Sequence, residues 1–575
     1  MNDPTLVCPT LVDAVNELAR TSQLGFTFVR PDGSERHCSF VEIREEARRR
    51  SVHLASLGLC KGDRLAMVIP DGDEFVLSFL GAIFAGVVPV PIFPQLSFKN
   101  VEGYHDTVAH IARASGARML LTTTSTRPYV EPVVPRVGTL SRLLTVDELA
   151  PPVSGEVDAG VRGDDLCFLQ FTSGSTHKPK GVVVTHRNLA WNSQSFMIHG
   201  LAKDSSFDKG VSWLPLFHDM GLIGFVIGPL FTNIPVVFLP TASFVRNPRL
   251  WLDTIHKHRG TITYAPNFAY QLVAKRLKDR DVEGWDLSCM RRTGCGAEPI
   301  QPRTLRDFAQ KLAPARFDPR SFIPSYGMAE ATLAITFVPR DTGVRTDRID
   351  RRAREGGQAS PSDAHDAHEL VNCGSAFPDH EIAIVDPEGR RLPDRQVGEI
   401  VTRGPSISPG YFQEPELTRA SFRDGWLHSG DLGYLVDGEV YICGRLKDVI
   451  IIRGRNFYPS DIEWIVSELP GVRRGNVVAF SVEVPASEGE RGDEELVVCA
   501  EAFQSEAKGL GEAIAQAVLA NFALSVYKVE IVPQGTLPRT SSGKPQRRRT
   551  RQMFLDGALA QAQRVLVDEK PAASI

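Results

Sequence analysis

A short stretch rich in hydroxyl residues and glycine is the part of the sequence most suited to bind phosphate. Residues 171–182 read FTSGSTHKPKGV and lie between two strand-like segments. Backbone N–H groups and hydroxyls around a glycine can donate to phosphate oxygens, and the nearby lysines add positive charge, although the same composition also suits an ordinary surface loop. The spacing does not match the Walker pattern, so a P-loop fold is not indicated. The candidate phosphate-binding residues are Thr172, Ser173, Gly174, Ser175, Thr176 and Lys180.

Six further segments follow in order and contain the other candidates. They read WLPLFHDMGL (213–222), GCGAEP (294–299), PSYGMAEAT (324–332), DGWLHSGDLG (424–433), GRLKDVI (444–450) and LPRTSSGK (537–544). A single carboxylate such as Glu330 or Asp431, or a single lysine such as Lys544, is usually a solvated surface group. Their ordered occurrence together is what indicates a site.

In this order the seven segments resemble the core motifs of the adenylate-forming superfamily, which contains acyl-CoA synthetases, peptide-synthetase adenylation domains and luciferases. The resemblance covers essentially the whole chain. In detail it is most similar to the fatty acyl-AMP ligases, whose features include HDMGLI (218–223), APNFAY (265–270), RGRNFYP (453–459) and a polar insert at residues 340–369. One departure is His177, where the superfamily often has glycine, because a non-glycine residue with positive φ is uncommon.

The resemblance implies a role for each candidate on the nucleotide side. Residues 172–180 would close over the β- and γ-phosphates of ATP, while Thr176 and Glu330 would lie near Mg²⁺, which favours oxygen ligands. Tyr326 would stack on adenine, and Asp431 would accept hydrogen bonds from both ribose hydroxyls. The adenine slot would be completed by Gly296, Ala297, Glu298, Gly327 and Met328.

The resemblance also implies catalytic and acyl-binding groups. Arg445 would be a fixed cation at the hinge, and Lys544 would bridge the carboxylate and the α-phosphate in the transition state from a flexible loop. The C-terminal domain would rotate about Lys447 between two half-reactions. Apolar residues 221–230 and 265–272 would form the walls of the acyl channel, with the substrate-binding residues His218, Asp219, Met220, Gly221, Asn267 and Phe268.

The implied activity is the reaction of a medium- or long-chain fatty acid with ATP-Mg to give acyl-AMP and pyrophosphate. The acyl group would then pass to the phosphopantetheine thiol of a holo acyl carrier protein. The insert would hinder the rotation that transfer to CoA requires. A fatty acyl-CoA synthetase is the main alternative, and a catalytically inactive acyl-adenylate-binding protein is another.

The elements that must position these motifs alternate along the chain. Short apolar strands and helical segments alternate through the first four hundred residues, which predicts α/β layers with mainly parallel sheets. Shorter strands beyond about residue 370 predict a β-rich unit. We therefore expect a large N-terminal body at residues 1–444, made of two α/β subdomains plus a small β-rich subdomain, and a small mobile α+β C-terminal domain at 445–575. The insert at 340–369 is expected to be structureless.

Composition excludes several other classes of protein. The 575 residues carry a formal net charge of −4, which argues against non-specific binding of nucleic acid. Nine cysteines without a C-x-x-C pair suit reduced thiols, and residues 1–20 lack the features of a signal peptide, so we expect a cytoplasmic enzyme. Two uncharged runs, 75–98 and 221–240, contain prolines and glycines and are interpreted as buried core, so no membrane span is expected.

Two charged clusters have weaker interpretations. One lies in the insert and has side chains that could bind a metal, although a solvated insert is the favoured interpretation. The other is a basic helical face, either idle or suited to an acidic protein partner. The first contains Asp363, His365, Asp366, His368 and Glu369, and the second contains Arg547, Arg548, Arg549 and Arg551.

Overall fold

The computed structural model describes residues 8–95, 101–172, 178–484, 493–503, 509–540 and 543–568. Five residues of the phosphate-binding segment, Ser173, Gly174, Ser175, Thr176 and His177, therefore lie outside the described residues. The described chain forms a large N-terminal body and a smaller C-terminal domain, in the predicted α/β class. No helix in these ranges is long and apolar enough to cross a membrane.

A nine-stranded sheet lies at the centre of the N-terminal body. Its inner strands are parallel and almost entirely buried, as expected where helices cover both faces of a sheet. The strands, in sheet order, are Ser375–Ala376, Ala334–Phe337, Phe322–Gly327, Arg292–Cys295, Ile262–Ala265, Gly210–Ser212, Val236–Phe238, Gly25–Val29 and Glu35–Ser39.

A second, four-stranded sheet is parallel throughout. Its strands, in order, are Val88–Pro91, Arg64–Val68, Met119–Thr122 and Arg142–Thr145. The strand that contains the prolines is at the edge of this sheet. Proline has no backbone N–H, and at an edge strand this donor is not needed to pair with a further strand. Beside it lies the antiparallel hairpin of Leu166–Thr172 and Lys180–Thr185, whose two strands flank the phosphate-binding segment.

The helices of the N-terminal body account for both uncharged runs. The first run forms the buried helix Gly72–Phe84 and the edge strand that follows it. Most of the second run lies in a helical segment from Asp219 to Thr232. This segment ends at Asn233, which has a left-handed φ of 58°. The other helices of eight or more residues in the described N-terminal body are Leu11–Thr21, Phe40–Ser56, Val101–Ser115, His186–Gln194, Arg249–His258, Asn267–Arg276 and Pro302–Leu312.

The β-rich unit is an antiparallel sheet that joins the body to the C-terminal domain. Its strands are Glu381–Val385, Gly398–Arg403, Trp426–Val436, Phe422–Arg423 and Glu439–Arg445. The last strand ends at Arg445 and a single helical turn, Leu446–Asp448, follows it. The predicted hinge residue Lys447 is exposed in this turn.

The C-terminal domain is a small α+β unit with hydrophobic clusters of its own. Residues such as Ile462, Val498 and Ile514 are fully buried there. The boundary between residues 444 and 445 stays a prediction. Its strands are Ile450–Ile452, Arg455–Phe457, Val472–Val484, Asp493–Ala502 and Val526–Val532, and its helices are Pro459–Ser467, Leu510–Phe522, Arg547–Leu555 and Ala558–Asp568.

The prediction of a structureless insert is wrong. Strands Thr346–Ile349 and His368–Val371 pair antiparallel, and helix Arg351–Glu355 follows the first of them. Arg354 and Glu355 are buried and paired, whereas Asp363, His365 and Asp366 are exposed, so only part of the polar character of this segment reflects internal charge pairs. Among the described residues, no group of three or more histidine, cysteine and acidic side chains is arranged to hold a metal ion, and Glu369 accepts hydrogen bonds from Arg306 and Thr346 instead.

The insert helix contacts the C-terminal domain directly. Arg354 donates to the carboxylate of Asp461 and lies over the ring of Tyr458, 4.4 Å from its centroid. Glu355 accepts a hydrogen bond of 2.7 Å from Nε of Arg455. Although burial opposes ionisation, the charge of Arg354 keeps the pKa of the Asp461 carboxyl below its usual range. One buried ion pair, Arg354–Asp461, and one half-exposed ion pair, Glu355–Arg455, therefore connect the insert with the C-terminal domain.

Asp461→Asn should destabilise this connection. It leaves the Arg354 guanidinium buried without its counter-charge, at a cost of about 3–5 kcal/mol. Thermal unfolding followed by circular dichroism measures the effect. The control is Glu416→Gln, which removes the same charge from a pair with Arg419 whose carboxylate side chain is 86% exposed, where about 0–1 kcal/mol is expected. Equal melting of the two variants would contradict the prediction.

Candidate active site

The topology of the nine-stranded sheet brings four of the sequence segments to one edge. Four parallel neighbours each lead directly into a segment that contains candidate residues. Because the carboxyl ends of parallel strands share one edge of a sheet, these segments lie close together. The four strands are Gly210–Ser212, Ile262–Ala265, Arg292–Cys295 and Phe322–Gly327.

The nucleotide side of this edge is organised around Asp431. The hydroxyl of Tyr326 donates to Oδ2 of Asp431 at 2.8 Å, and Nε of Arg445 donates to Oδ1 at 3.1 Å. Asp431 and Arg445 are direct partners on two antiparallel strands, so the sheet register itself forms this ion pair. A carboxylate has about four acceptor positions, so two donors leave room for the hydroxyls of a ligand.

The segment after Arg292–Cys295 is held by hydrogen bonds from its neighbour. Ala297 has a left-handed φ of 68°, a strained conformation that is often found in binding sites. Oε1 of Glu298 accepts from the backbone N–H of Phe268 at 2.6 Å, and burial raises the pKa of this carboxyl. Oδ1 of Asn267 accepts from the backbone N–H of Gln301 at 3.0 Å. Asn267 and Phe268, predicted to bind the acyl group, therefore support the loop that contains Ala297 and Glu298.

The phosphate side contains Glu330, Lys180 and a residue that the sequence motifs do not include, Tyr411. The hydroxyl of Tyr411 donates to Oε1 of Glu330 at 2.7 Å, and Nζ of Lys180 lies 5.6 Å from the centre of the Tyr411 ring. Thr172 pairs with Lys180 across the hairpin. Burial raises the pKa of Glu330, whereas burial and the charge of Lys447 lower the pKa of Lys180.

Lys544 of the C-terminal domain faces the same cleft. Its loop closes on itself, because Thr540 donates its backbone N–H to the carbonyl of Lys544 at 2.8 Å. Loss of solvent in the cleft and the charge of Arg445 lower the pKa of the Lys544 ammonium. The carboxylates of Asp219, Glu298 and Asp431 oppose this effect. The charged groups that act on Lys544 are therefore predicted site residues themselves.

His218 belongs to the segment at 213–222 and is close enough to Lys544 for the charge of that lysine to affect its pKa. Burial lowers its pKa to about 4, with a further contribution from the charge of Lys544 and an opposing one from Asp219. The imidazole is therefore neutral at physiological pH. Gly221 fits the turn that follows because any side chain there would meet the carbonyl of Pro215, only 2.3 Å from the position of an added Cβ.

A mainly apolar cavity opens from the same edge into the N-terminal body. Its polar end includes Asp219 and the segment at 296–297, and aromatic and aliphatic side chains line the rest. Asn267, Phe268 and Met328 are not among its lining residues, and Met328 packs in the β-rich unit instead. The lining residues are Phe196, Leu201, Asp219, Met220, Gly224, Phe225, Ile262, Tyr264, Gly296, Ala297, Ser325, Tyr326, Gly327, Leu333, Ala334 and Phe337.

Comparison with known proteins agrees with this arrangement. Residues 18–412 match the family model described as AMP-binding enzyme, which is more than half of the chain. The chain belongs to the AMP-binding enzyme family. Residues 447–564 match a second model, described as Disco-interacting protein 2-like, AMP domain.

Relatives and solved structures extend over nearly the whole chain. A Caulobacter vibrioides protein named as an acyl-CoA synthetase is 36% identical, with 96% of each chain covered. A Moorena producens protein named medium-chain-fatty-acid–[acyl-carrier-protein] ligase is 33% identical, with 93% of each chain covered. A structure from a study of fatty acyl-adenylate ligases of E. coli and L. pneumophila superposes with a TM-score of 0.90 at 34% identity, covering 96% of this chain and 99% of that one.

These matches confirm the predicted superfamily and fold, and they identify the protein as an adenylate-forming enzyme that uses ATP. The described residues also fit a magnesium ion of the kind that accompanies ATP. Mg²⁺ is usually held by one or two carboxylates together with phosphates and water. Glu330 supplies a carboxylate of this kind on the phosphate side, close to Lys180.

Proposed function

We propose that this enzyme activates a fatty acid with ATP-Mg to give acyl-AMP and pyrophosphate, and then transfers the acyl group to the phosphopantetheine thiol of an acyl carrier protein. The observation that carries the proposal is one continuous cavity. It extends from apolar side chains such as Phe225 and Phe337 to Ala297 and Tyr326 at the nucleotide side. An acyl chain in this cavity would present its carboxylate beside the nucleotide. The cytoplasmic location stays a prediction.

The chemistry of adenylation requires two anions to meet. A carboxylate oxygen forms a bond to the α-phosphorus while the bond from that phosphorus to the bridging oxygen breaks, and pyrophosphate leaves. Lys544 would stabilise the charge of both reacting groups, and Arg445 would provide a second cation next to the ribose. Thr172 and Lys180 would bind the departing phosphates. Glu330 would hold the magnesium ion, which neutralises phosphate charge when bound.

Two observations, the ties of the insert and the name of a relative, favour a carrier protein as the acyl acceptor. The insert is tied to the C-terminal domain through Arg354–Asp461 and Glu355–Arg455. Such ties would oppose the rotation about Lys447 that transfer to CoA requires. The name of the Moorena producens relative supports a carrier protein as acceptor. A fatty acyl-CoA synthetase is the second candidate, because the Caulobacter vibrioides relative is named as one.

The wild-type enzyme tests the proposal directly. Fatty acid-dependent exchange of label between pyrophosphate and ATP should occur, since formation of the adenylate is reversible. No exchange with any fatty acid from short to long would instead favour a protein that only binds adenylates. Transfer to a holo carrier protein and to CoA, compared in parallel, identifies the acceptor.

Gly224→Leu should shorten the acyl chains that the enzyme accepts. Gly224 lines the cavity, and an added Cβ would lie 3.7 Å from Leu333, so alanine fits whereas a leucine side chain fills space. Each displaced methylene of the substrate costs about 0.8 kcal/mol, or roughly fourfold in affinity. Exchange rates for a series of fatty acids measure this, with Gly224→Ala as control. A uniform loss for all chain lengths would contradict the assignment of the cavity.

Lys544→Ala should reduce adenylation by about a hundredfold or more while ATP still binds, because the charge acts mainly in the transition state. Acyl-AMP formation and calorimetric binding of ATP measure the two effects separately. Lys528→Ala, at an exposed lysine of the same domain, is the matched control. Near-normal acyl-AMP formation by Lys544→Ala would refute this role.

Releasing the insert should increase transfer to CoA. Deleting residues 340–369 would also remove buried groups such as Ile349, so a double variant is the sharper test. Arg354→Met with Asp461→Leu replaces the ion pair by apolar groups and leaves no charge unpaired. We expect acyl-CoA formation to rise while acyl-AMP formation is kept. Rapid acyl-CoA formation by the wild type, or no change in the double variant, would count against the brace.

A further inference from the structure

Tyr411 belongs to a short segment that is joined to the strand containing Lys180. The backbone N–H of Val183 donates to the carbonyl of Gly410 at 3.0 Å, and that of Phe412 donates to the carbonyl of Gly181 at 2.8 Å. Tyr411 itself forms an antiparallel bridge with Val182. The segment acts as an extra strand beside the hairpin, so the backbone of Tyr411 is held at a fixed distance from the strand of Lys180.

The same segment is also joined to the turn that contains Glu330. The backbone N–H of Ser408 donates to the carbonyl of Glu330 at 2.9 Å, while its hydroxyl donates to the carbonyl of Val183 at 2.7 Å. Three parts of the chain that are far apart in sequence, near residues 180, 330 and 410, are therefore connected through main-chain groups.

The Tyr411 side chain completes this connection inside the site. Its hydroxyl donates to Oε1 of Glu330 at 2.7 Å, and its ring faces Nζ of Lys180 at 5.6 Å. The ring is supported by Phe422, with ring centres 6.0 Å apart at an angle of 72°. A single side chain thus contacts the carboxylate and the ammonium group on the phosphate side by two different interactions.

We propose that Tyr411 is a positioning residue that holds Glu330 and Lys180 in one geometry for the phosphates and magnesium ion of ATP. The inference depends on the proposed function, since it takes Glu330 and Lys180 to act on those groups. A buried carboxylate without its hydrogen-bond donor is both less stable and less well oriented. The ring of Tyr411 limits the positions of the Lys180 ammonium by a cation–π contact.

Two variants separate the functions of the hydroxyl and the ring. Tyr411→Phe removes the hydrogen bond to Glu330 and keeps the aromatic face for Lys180. Tyr411→Leu removes both. Calorimetric titration with ATP, in excess Mg²⁺ and again in EDTA, measures binding without any turnover, and thermal unfolding shows whether each variant is folded.

We expect Tyr411→Phe to weaken binding of ATP in Mg²⁺ by about tenfold, the usual effect of a hydrogen bond to a charged group, and to leave binding in EDTA unchanged. Tyr411→Leu should weaken binding under both conditions. The control is Tyr434→Phe, which removes a hydrogen bond of 2.8 Å from a buried tyrosine of the β-rich unit to Asp347 of the insert. A purely structural effect would be similar in both phenylalanine variants.

The proposal would be overturned if Tyr411→Phe bound ATP in Mg²⁺ as tightly as the wild type does, or if Tyr434→Phe lost as much affinity for ATP as Tyr411→Phe. In either case the proposed function would still stand. If the wild type itself neither bound ATP in Mg²⁺ nor showed fatty acid-dependent exchange, the proposed function would fail and this inference with it. The two failures are therefore distinguishable in one set of measurements.

Discussion

The common edge at which parallel strands end is the constraint on which the candidate site depends. Groups that are far apart in sequence, such as Asp219 and Ala297, share one cavity because their strands are close neighbours in the sheet. The edge also provides the change from apolar to polar surroundings, since strand interiors are buried and the loops beyond them are not. A site of this kind can bind an apolar chain and a charged head group in one continuous space.

Charge is distributed over this edge from independent elements. Lys180 begins a strand of a hairpin, Arg445 ends a strand of the β-rich unit, and Lys544 lies on a loop of the C-terminal domain. Burial and the charge of Lys447 lower the pKa of Lys180, and burial and the charge of Arg445 lower that of Lys544, so each ammonium group is held at an electrostatic cost. Nearby carboxylates reduce this cost, and a polyphosphate would relieve it, which favours binding of ATP over a neutral ligand.

The sequence predicted the fold and much of the site because these depend on local patterns. Alternating apolar segments are readable without tertiary structure, and the ordered motifs named Tyr326 and Asp431, which the structure joins by a hydrogen bond. Tyr411 was missed because its role arises from pairing between residues 180 and 410, which no local pattern reports. The insert was misjudged because Arg354 and Glu355 look solvated until their partners, Asp461 and Arg455, are known.

The contacts of the C-terminal domain differ in how a rotation of that domain would affect them. Its polar contacts with the insert include hydrogen bonds to main-chain carbonyls, such as that from Arg351 to Asn521, and the buried ion pair of Arg354 and Asp461, whose strength depends on geometry and not on contact area. Arg547, by contrast, pairs with Asp448 and Glu463 and so joins the basic helix to the hinge turn within the domain. A rotation about the hinge would carry Arg547 and its partners together but would separate Arg354 from Asp461. The pair of Arg354 and Asp461 would therefore resist this movement, because separating it would leave a buried charge without its partner.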